Sequence, residues 1–117
     1  MNRILVIEDN ENNLYLIRFI LQKSGFEVFE AKNGLDGVQS AIDNDVDIII
    51  MDIQLPDIDG LEATRRIRAA GVTLPIVALT SYALPGDREK ALEAGCTGYL
   101  TKPINPETVV SEIKSYL

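Results

Sequence analysis

The 117-residue chain is too short for two hydrophobic cores, and its 46% hydrophobic and 25% charged content suits a folded globular domain, not a disordered or collagen-like chain. Eleven Lys and Arg face eighteen Asp and Glu, and the resulting charge of −7 repels nucleic-acid backbones and anionic membrane surfaces, so neither is expected as a partner. Histidine is absent, which removes His-based nucleophilic triads and histidine metal ligands and leaves carboxylates, hydroxyls and lysine for any chemistry.

The first element is the apolar run Ile4-Leu5-Val6-Ile7, followed by a helix over about Glu11 to Ser24 with Leu14, Ile17 and Leu21 at helical spacing and Gly25 as its stop. A weaker strand, Glu27 to Ala31, precedes the Asn33-Gly34 turn and a short helix over Leu35 to Asp43, whose apolar stripe is Val38, Ala41 and Ile42. The run Ile48-Ile49-Ile50-Met51 leads to a helix over Leu61 to Ala70, with Ala63 and Ile67 inward and Arg65, Arg66 and Arg68 largely outward. After Ile76-Val77-Ala78-Leu79, a helix follows Pro85-Gly86-Asp87 and runs to Ala94. The last strand spans Gly98 to Lys102, and the last helix opens with Asn105 as cap and Pro106 at its first position, with Val109, Ile113 and Leu117 at helical spacing.

Three apolar runs without polar alternation predict strands buried on both faces, hence a parallel sheet between helical layers. Five β-α units over residues 1–117, with right-handed crossovers, predict one α/β domain: a flavodoxin-like, doubly wound three-layer sandwich of strand order 2-1-3-4-5. The lone Cys96 forms no internal disulfide and is expected to be a packed small side chain. With no signal-like N-terminal segment and no membrane-length apolar run, it points to a reducing cytoplasm.

In such a sheet the strand ends converge on one edge, bringing together Glu8-Asp9, Asp52, Thr80-Ser81 and Lys102. Three crowded carboxylates call for a compensating cation, and hard oxygen donors suit Mg²⁺. Lys102 as a point charge and Thr80 as a donor would complete a clamp for phosphoryl oxygens, with Asp52 as the nucleophile that forms an acyl phosphate. Each residue has a plainer reading: Glu8, Asp9 or Asn10 as a helix cap, Asp52 as a turn former, Thr80 as a strand residue, Lys102 as a solvated charge. The functional reading rests on their convergence at one edge. Asp57-Ile58-Asp59-Gly60 resembles a calcium loop only superficially, because aligning Gly60 puts Leu55 and Arg66 at ligand positions. No phosphate-binding or dinucleotide-binding glycine loop is present.

The whole chain resembles the CheY-like receiver domains of two-component response regulators. The resemblance runs from Ile4-Leu5-Val6-Ile7-Glu8-Asp9-Asn10 through Met51-Asp52-Ile53-Gln54-Leu55-Pro56-Asp57-Ile58-Asp59-Gly60 and Ala78-Leu79-Thr80 to Tyr99-Leu100-Thr101-Lys102-Pro103. It is nearest to stand-alone regulators of the DivK type and to receivers of hybrid kinases. The resemblance implies that Asp52 takes its phosphoryl group from the phosphohistidine of a sensor histidine kinase or a histidine phosphotransfer protein. It implies Mg²⁺ among Glu8, Asp9, Asp52 and the backbone carbonyl of Gln54, phosphoryl contacts from Lys102 and Thr80, and a cis Lys102-Pro103 bond. It also implies a switch in which Thr80 moves toward the phosphate and Tyr99 turns inward, altering the face of helix 4, strand 5 and helix 5 that a downstream protein binds. Tyr82 and Gln54 flank the expected path of attacking water, and a bulky Tyr82 is expected to shield the acyl phosphate.

Two other classes are weaker. A turnover phosphohydrolase would need a substrate cap and a general acid that this sequence does not offer. A flavin carrier would suffer repulsion between Glu8-Asp9 and the flavin phosphate.

Overall fold

Ile48 to Met51 and Ile76 to Leu79 show no polar alternation because both faces of the sheet that they form are covered. The computed structural model describes residues 2–81 and 84–117. The strands are β1 (Arg3–Ile7), β2 (Glu27–Ala31), β3 (Ile48–Asp52), β4 (Ile76–Thr80) and β5 (Gly98–Thr101). They alternate with α1 (Glu11–Lys23), α2 (Gly34–Asp43), α3 (Gly60–Ala69), α4 (Asp87–Ala94) and α5 (Val109–Lys114). All strand pairs are parallel, and the sheet runs β2-β1-β3-β4-β5, as the sequence predicts.

The pleat divides the strand residues between two cores. Ile4, Val6, Ile48, Ile50, Val77 and Leu79 pack with Leu14, Ile17 and Leu21 of α1 and Val109 and Ile113 of α5. Leu5, Ile7, Ile49, Met51, Ile76 and Ala78 pack with Ala41 of α2, Ala63 and Ile67 of α3, and Ala91 of α4. Alternate residues of one strand thus feed opposite layers, and burying each Ile or Leu contributes about 1.5–3 kcal/mol.

Short polar side chains start three of the helices. Asn10 accepts from the Asn13 amide at 3.0 Å, Asn33 from Asp36 at 2.8 Å, and Asp59 from Glu62 at 2.8 Å. Each supplies an acceptor to an otherwise orphaned N-terminal N–H, worth about 1 kcal/mol.

The structure differs from the sequence reading at several places. Regular α5 begins at Val109, not Pro106, because the Asn105 carbonyl is shared by the Thr108 and Val109 amides at 3.1 and 2.9 Å, while Asn105 Oδ1 takes the Glu107 amide. These bonds make residues 105–108 a tight turn. Ile42, read as part of the apolar stripe of α2, and Leu117, read at helical spacing in α5, are 49% and 46% exposed: Ala41 faces the sheet on α2, and Leu117 lies past the end of α5. Arg68, expected outward, folds back to donate to the carbonyls of Gly95, Val72 and Leu74 at 2.9, 3.0 and 2.6 Å. Helix and loop ends leave carbonyls without intrahelical partners, and a planar guanidinium reaches several of them at once.

Candidate functional site

The carboxyl edge of the sheet is where charge enters the core. Glu8 directly follows β1, and its amide donates to the Ala31 carbonyl at 3.0 Å, so that the ladder with β2 holds it in place. Asp52 is the last residue of β3 and lies opposite Leu79 of β4. Lys102 follows β5, with its amide bonded to the Thr80 carbonyl at 2.7 Å and a cis peptide bond to Pro103. The strand register therefore positions all three side chains.

Glu8 and Asp52 are 1% and 2% exposed, and Asp9 is exposed. One oxygen from each of Glu8, Asp9 and Asp52 lies within 4.8 Å of the others. Lys102 Nζ stands 3.2 Å from Asp52 Oδ1 and 3.1 Å from Glu8 Oε2. Asp52 Oδ1 also accepts from the Gln54 amide at 3.3 Å, and Glu8 Oε1 from the Asn10 amide at 3.1 Å. Burial, and then the neighbouring Glu8 charge, push the Asp52 carboxyl up to about 6 against the pull of Lys102. Burial works against the Lys102 ammonium, but its contacts with Glu8 and Asp52 prevail and hold its pKa above the usual value.

These groups line a polar pocket of ≈ 370 Å³, to which Asn10, Asn13, Gln54 and Ser81 also contribute. Three carboxylates against one ammonium leave an excess of negative charge in a partly desolvated place, and Glu8 Oε2 makes no well-aligned hydrogen bond among the described residues. A small divalent cation with oxygen ligands fits that donor set.

Thr80 is placed differently from Lys102. It is 5% exposed and lines a neighbouring apolar cavity of ≈ 230 Å³, shared with Ile53, Leu61, Ala91 and Tyr99, while Ser81 lines the acidic pocket. Tyr99 is half-buried, and burial, then the Asp87 charge, raise its hydroxyl pKa. Tyr82, expected to shield the site, lies outside the described residues. The sequence reading gave no site role to Asn13, which stands one helical turn beyond Asn10 and reaches the pocket from the first turn of α1. The Asn10-x-x-Asn13 spacing was its only signal.

Gly60 secures the loop after Asp52. Its amide donates to the Ile53 carbonyl at 2.8 Å, and a Cβ there would overlap the Asp52 carbonyl oxygen and lie 2.8 Å from Ile53 Cα. No other residue lets α3 begin so close to the end of β3.

Comparison with known proteins agrees with this geometry. Residues 4–114 match the response regulator receiver domain family. The chain is 38% identical over 116 residues to the polar-differentiation response regulator DivK of Brucella anthropi, covering 97% of this chain and 94% of that one. Among solved structures, it superposes on the receiver domain of a sensor histidine kinase from Pseudomonas aeruginosa PAO1, described with a magnesium ion coordinated in the active site cleft. There the TM-score is 0.90 at 40% identity, with 98% and 96% of the two chains covered. A chain from the co-crystal structure of the Saccharomyces cerevisiae histidine phosphotransfer protein Ypd1 with the receiver domain of Ssk1 gives a TM-score of 0.91 at 32% identity, covering 98% and 88%. With the doubly wound fold, the acidic cluster at its carboxyl edge and a match over nearly its full length, the chain belongs to the response regulator receiver domain family of two-component signalling.

Proposed function

We propose that Asp52 accepts a phosphoryl group from the phosphohistidine of a sensor histidine kinase or a histidine phosphotransfer protein, and that the acyl phosphate switches binding to a downstream protein. The observation that carries this reading is the meeting of the Glu8, Asp9 and Asp52 carboxylates within 4.8 Å, with Lys102 against Asp52. Glu8, Asp9, Asp52 and the Gln54 carbonyl would hold Mg²⁺, which when bound neutralises charge on the phosphoryl oxygens.

The remaining chemistry belongs to the side chains. An Asp52 carboxylate oxygen attacks phosphorus, the P–N bond to the donor imidazole breaks, and its electron pair returns to the imidazole nitrogen. The Lys102 ammonium, 3.2 Å from Asp52 Oδ1, is in place to follow the charge as it passes to the phosphoryl group. Thr80, at the end of β4, would donate its hydroxyl to a phosphoryl oxygen. Hydrolysis reverses the state: water attacks phosphorus, and Asp52 leaves as a carboxylate beside inorganic phosphate.

For the switch, support comes from the cavity that Thr80 and Tyr99 both line, which offers room for Tyr99 to turn inward as Thr80 moves toward the phosphate. That movement would alter the face of α4, β5 and α5, biasing a pre-existing equilibrium. We read residues 1–117 as one receiver unit working in the cytoplasm.

Incubation with a small phosphodonor tests the reading. The expected result is a magnesium-dependent adduct on Asp52, absent from Asp52→Asn. Labelling that survives this substitution, or that proceeds equally with chelator, would overturn it.

A further inference from the structure

The segment Asp57-Ile58-Asp59 serves two helices at once. Asp59 caps its own helix, α3, through the Glu62 amide. Asp57 reaches across to α2: its Oδ1 accepts from Gly34 N at 2.7 Å and its Oδ2 from Leu35 N at 2.8 Å, a bidentate bond spanning more than twenty residues. Asn33 caps only the Asp36 amide, so Asp57 takes the first two N–H groups of α2. A carboxylate at a helix N-terminus also meets the positive end of the helix dipole. These backbone bonds hold the Asp57 carboxyl below the ordinary aspartate range, the Leu35 amide contributing most.

Packing reinforces the bond. A Cβ on Gly34 would overlap Ile58 Cγ1 and come within 2.9 Å of the Ile58 carbonyl oxygen, so the start of α2 lies directly on this loop. At the loop's base, Gly60 N bonds to Ile53 O at 2.8 Å and Ile53 N to Leu79 O at 3.1 Å. Residues 53–59 are therefore tied at the base to β4 and α3 and near the tip to α2. Gln54 lies between those ties, two residues after Asp52, with its amide on Asp52 Oδ1 at 3.3 Å.

We propose that Asp57 is a positioning residue: by bonding the start of α2, it fixes the loop that sets the Gln54 backbone against Asp52. This rests on the reading that Gln54 offers its carbonyl to Mg²⁺, and it makes metal affinity depend on a side chain that touches neither metal nor phosphate. Residues that orient ligands typically change metal affinity by about 10–100-fold when removed. Since Asp57 acts one step further back, through the backbone, a weakening of about 5–10-fold is expected, just below that range.

The test compares wild type, Asp57→Ala and Arg68→Met by calorimetric magnesium titration and by amide hydrogen exchange of the metal-free proteins. Arg68 ties loops at the opposite edge of the sheet and serves as a control for general destabilisation. Expected are a weaker magnesium Kd and faster Gly60 exchange in Asp57→Ala, with α1 exchange unchanged, while Arg68→Met loses thermal stability but keeps the wild-type Kd. An Asp57→Ala protein with wild-type Kd, or an equal loss of affinity in Arg68→Met, overturns the proposal. If wild type fails to bind magnesium, the metal reading falls, and Gly60 exchange then decides: faster exchange in Asp57→Ala upholds the tie, and unchanged exchange overturns it.

Discussion

Lys102 and Asp52, fifty residues apart in the chain, meet with Nζ 3.2 Å from Oδ1 at the edge where β3 and β5 end. The ammonium is shared, because Glu8 Oε2 lies 3.1 Å away, so one positive charge serves two buried carboxylates. Burial, and then the nearby Glu8 charge, outweigh the shared ammonium and raise the Asp52 carboxyl to about 6. That shift makes the metal-free site sensitive to pH.

Metal-free stability should fall across a defined pH window. The Asp52 carboxyl titrates near 3.8 when unperturbed and at about 6 in the fold. Between these values the folded state binds more protons than the unfolded one, so this contribution is intact below the lower value and is lost as pH rises through the upper. The loss is about 2–3 kcal/mol by the free energy of such a displacement. Asp52→Asn removes it, so chelator-treated Asp52→Asn should gain stability relative to wild type as pH rises from 4 to 7. Urea unfolding at several pH values measures the difference, and parallel curves would show that Asp52 is not strained.

Asp9 is the exposed member of the acidic trio, and its removal should separate metal binding from folding. Asp9→Ala would withdraw one of the carboxylates proposed to hold Mg²⁺ while leaving the buried Glu8-Lys102-Asp52 contacts intact. Magnesium affinity should fall by at least about tenfold, since affinity follows the number of charged ligands. The metal-free thermal midpoint should stay within a degree or two of wild type, by the small effects typical of surface substitutions. Calorimetry and a thermal melt on the same samples suffice, and an unchanged magnesium Kd would remove Asp9 from the ligand set.

Gly60→Ala should damage both stability and site. The added methyl group would overlap the Asp52 carbonyl oxygen, a backbone atom that cannot move without shifting the end of β3. Overpacking of this kind costs about 1–3 kcal/mol. The expected outcome is a lowered melting temperature together with slower phosphorylation by a small donor. Stability equal to wild type would mean that α3 begins farther from β3 than these contacts indicate.

Much of the fold was legible in order along the chain. The unalternating runs around Leu5, Ile49 and Val77 require two covered faces, and the spacing of Leu14, Ile17 and Leu21 requires a helix lying on one of them. Given strands, helices and right-handed crossovers, Glu8, Asp52 and Lys102 have one edge at which to meet. These readings depend on local periodicity and chain direction, which one sequence carries in full.

What only tertiary structure decided depends on groups distant in sequence. Arg68 turns inward because its guanidinium joins two loops, taking the Val72 and Leu74 carbonyls just after α3 together with that of Gly95, twenty-seven residues on, a partner no local pattern reports. Ser81, not Thr80, lines the acidic pocket, and Thr80 lines the apolar cavity with Tyr99. Asp57, dismissed as part of a failed calcium loop, found its partners on a helix more than twenty residues back. Local sequence determined which elements form and where their ends point. Long-range bonds between backbone groups left open at those ends determined which side chains face the site, because their partners exist only once the layers have packed.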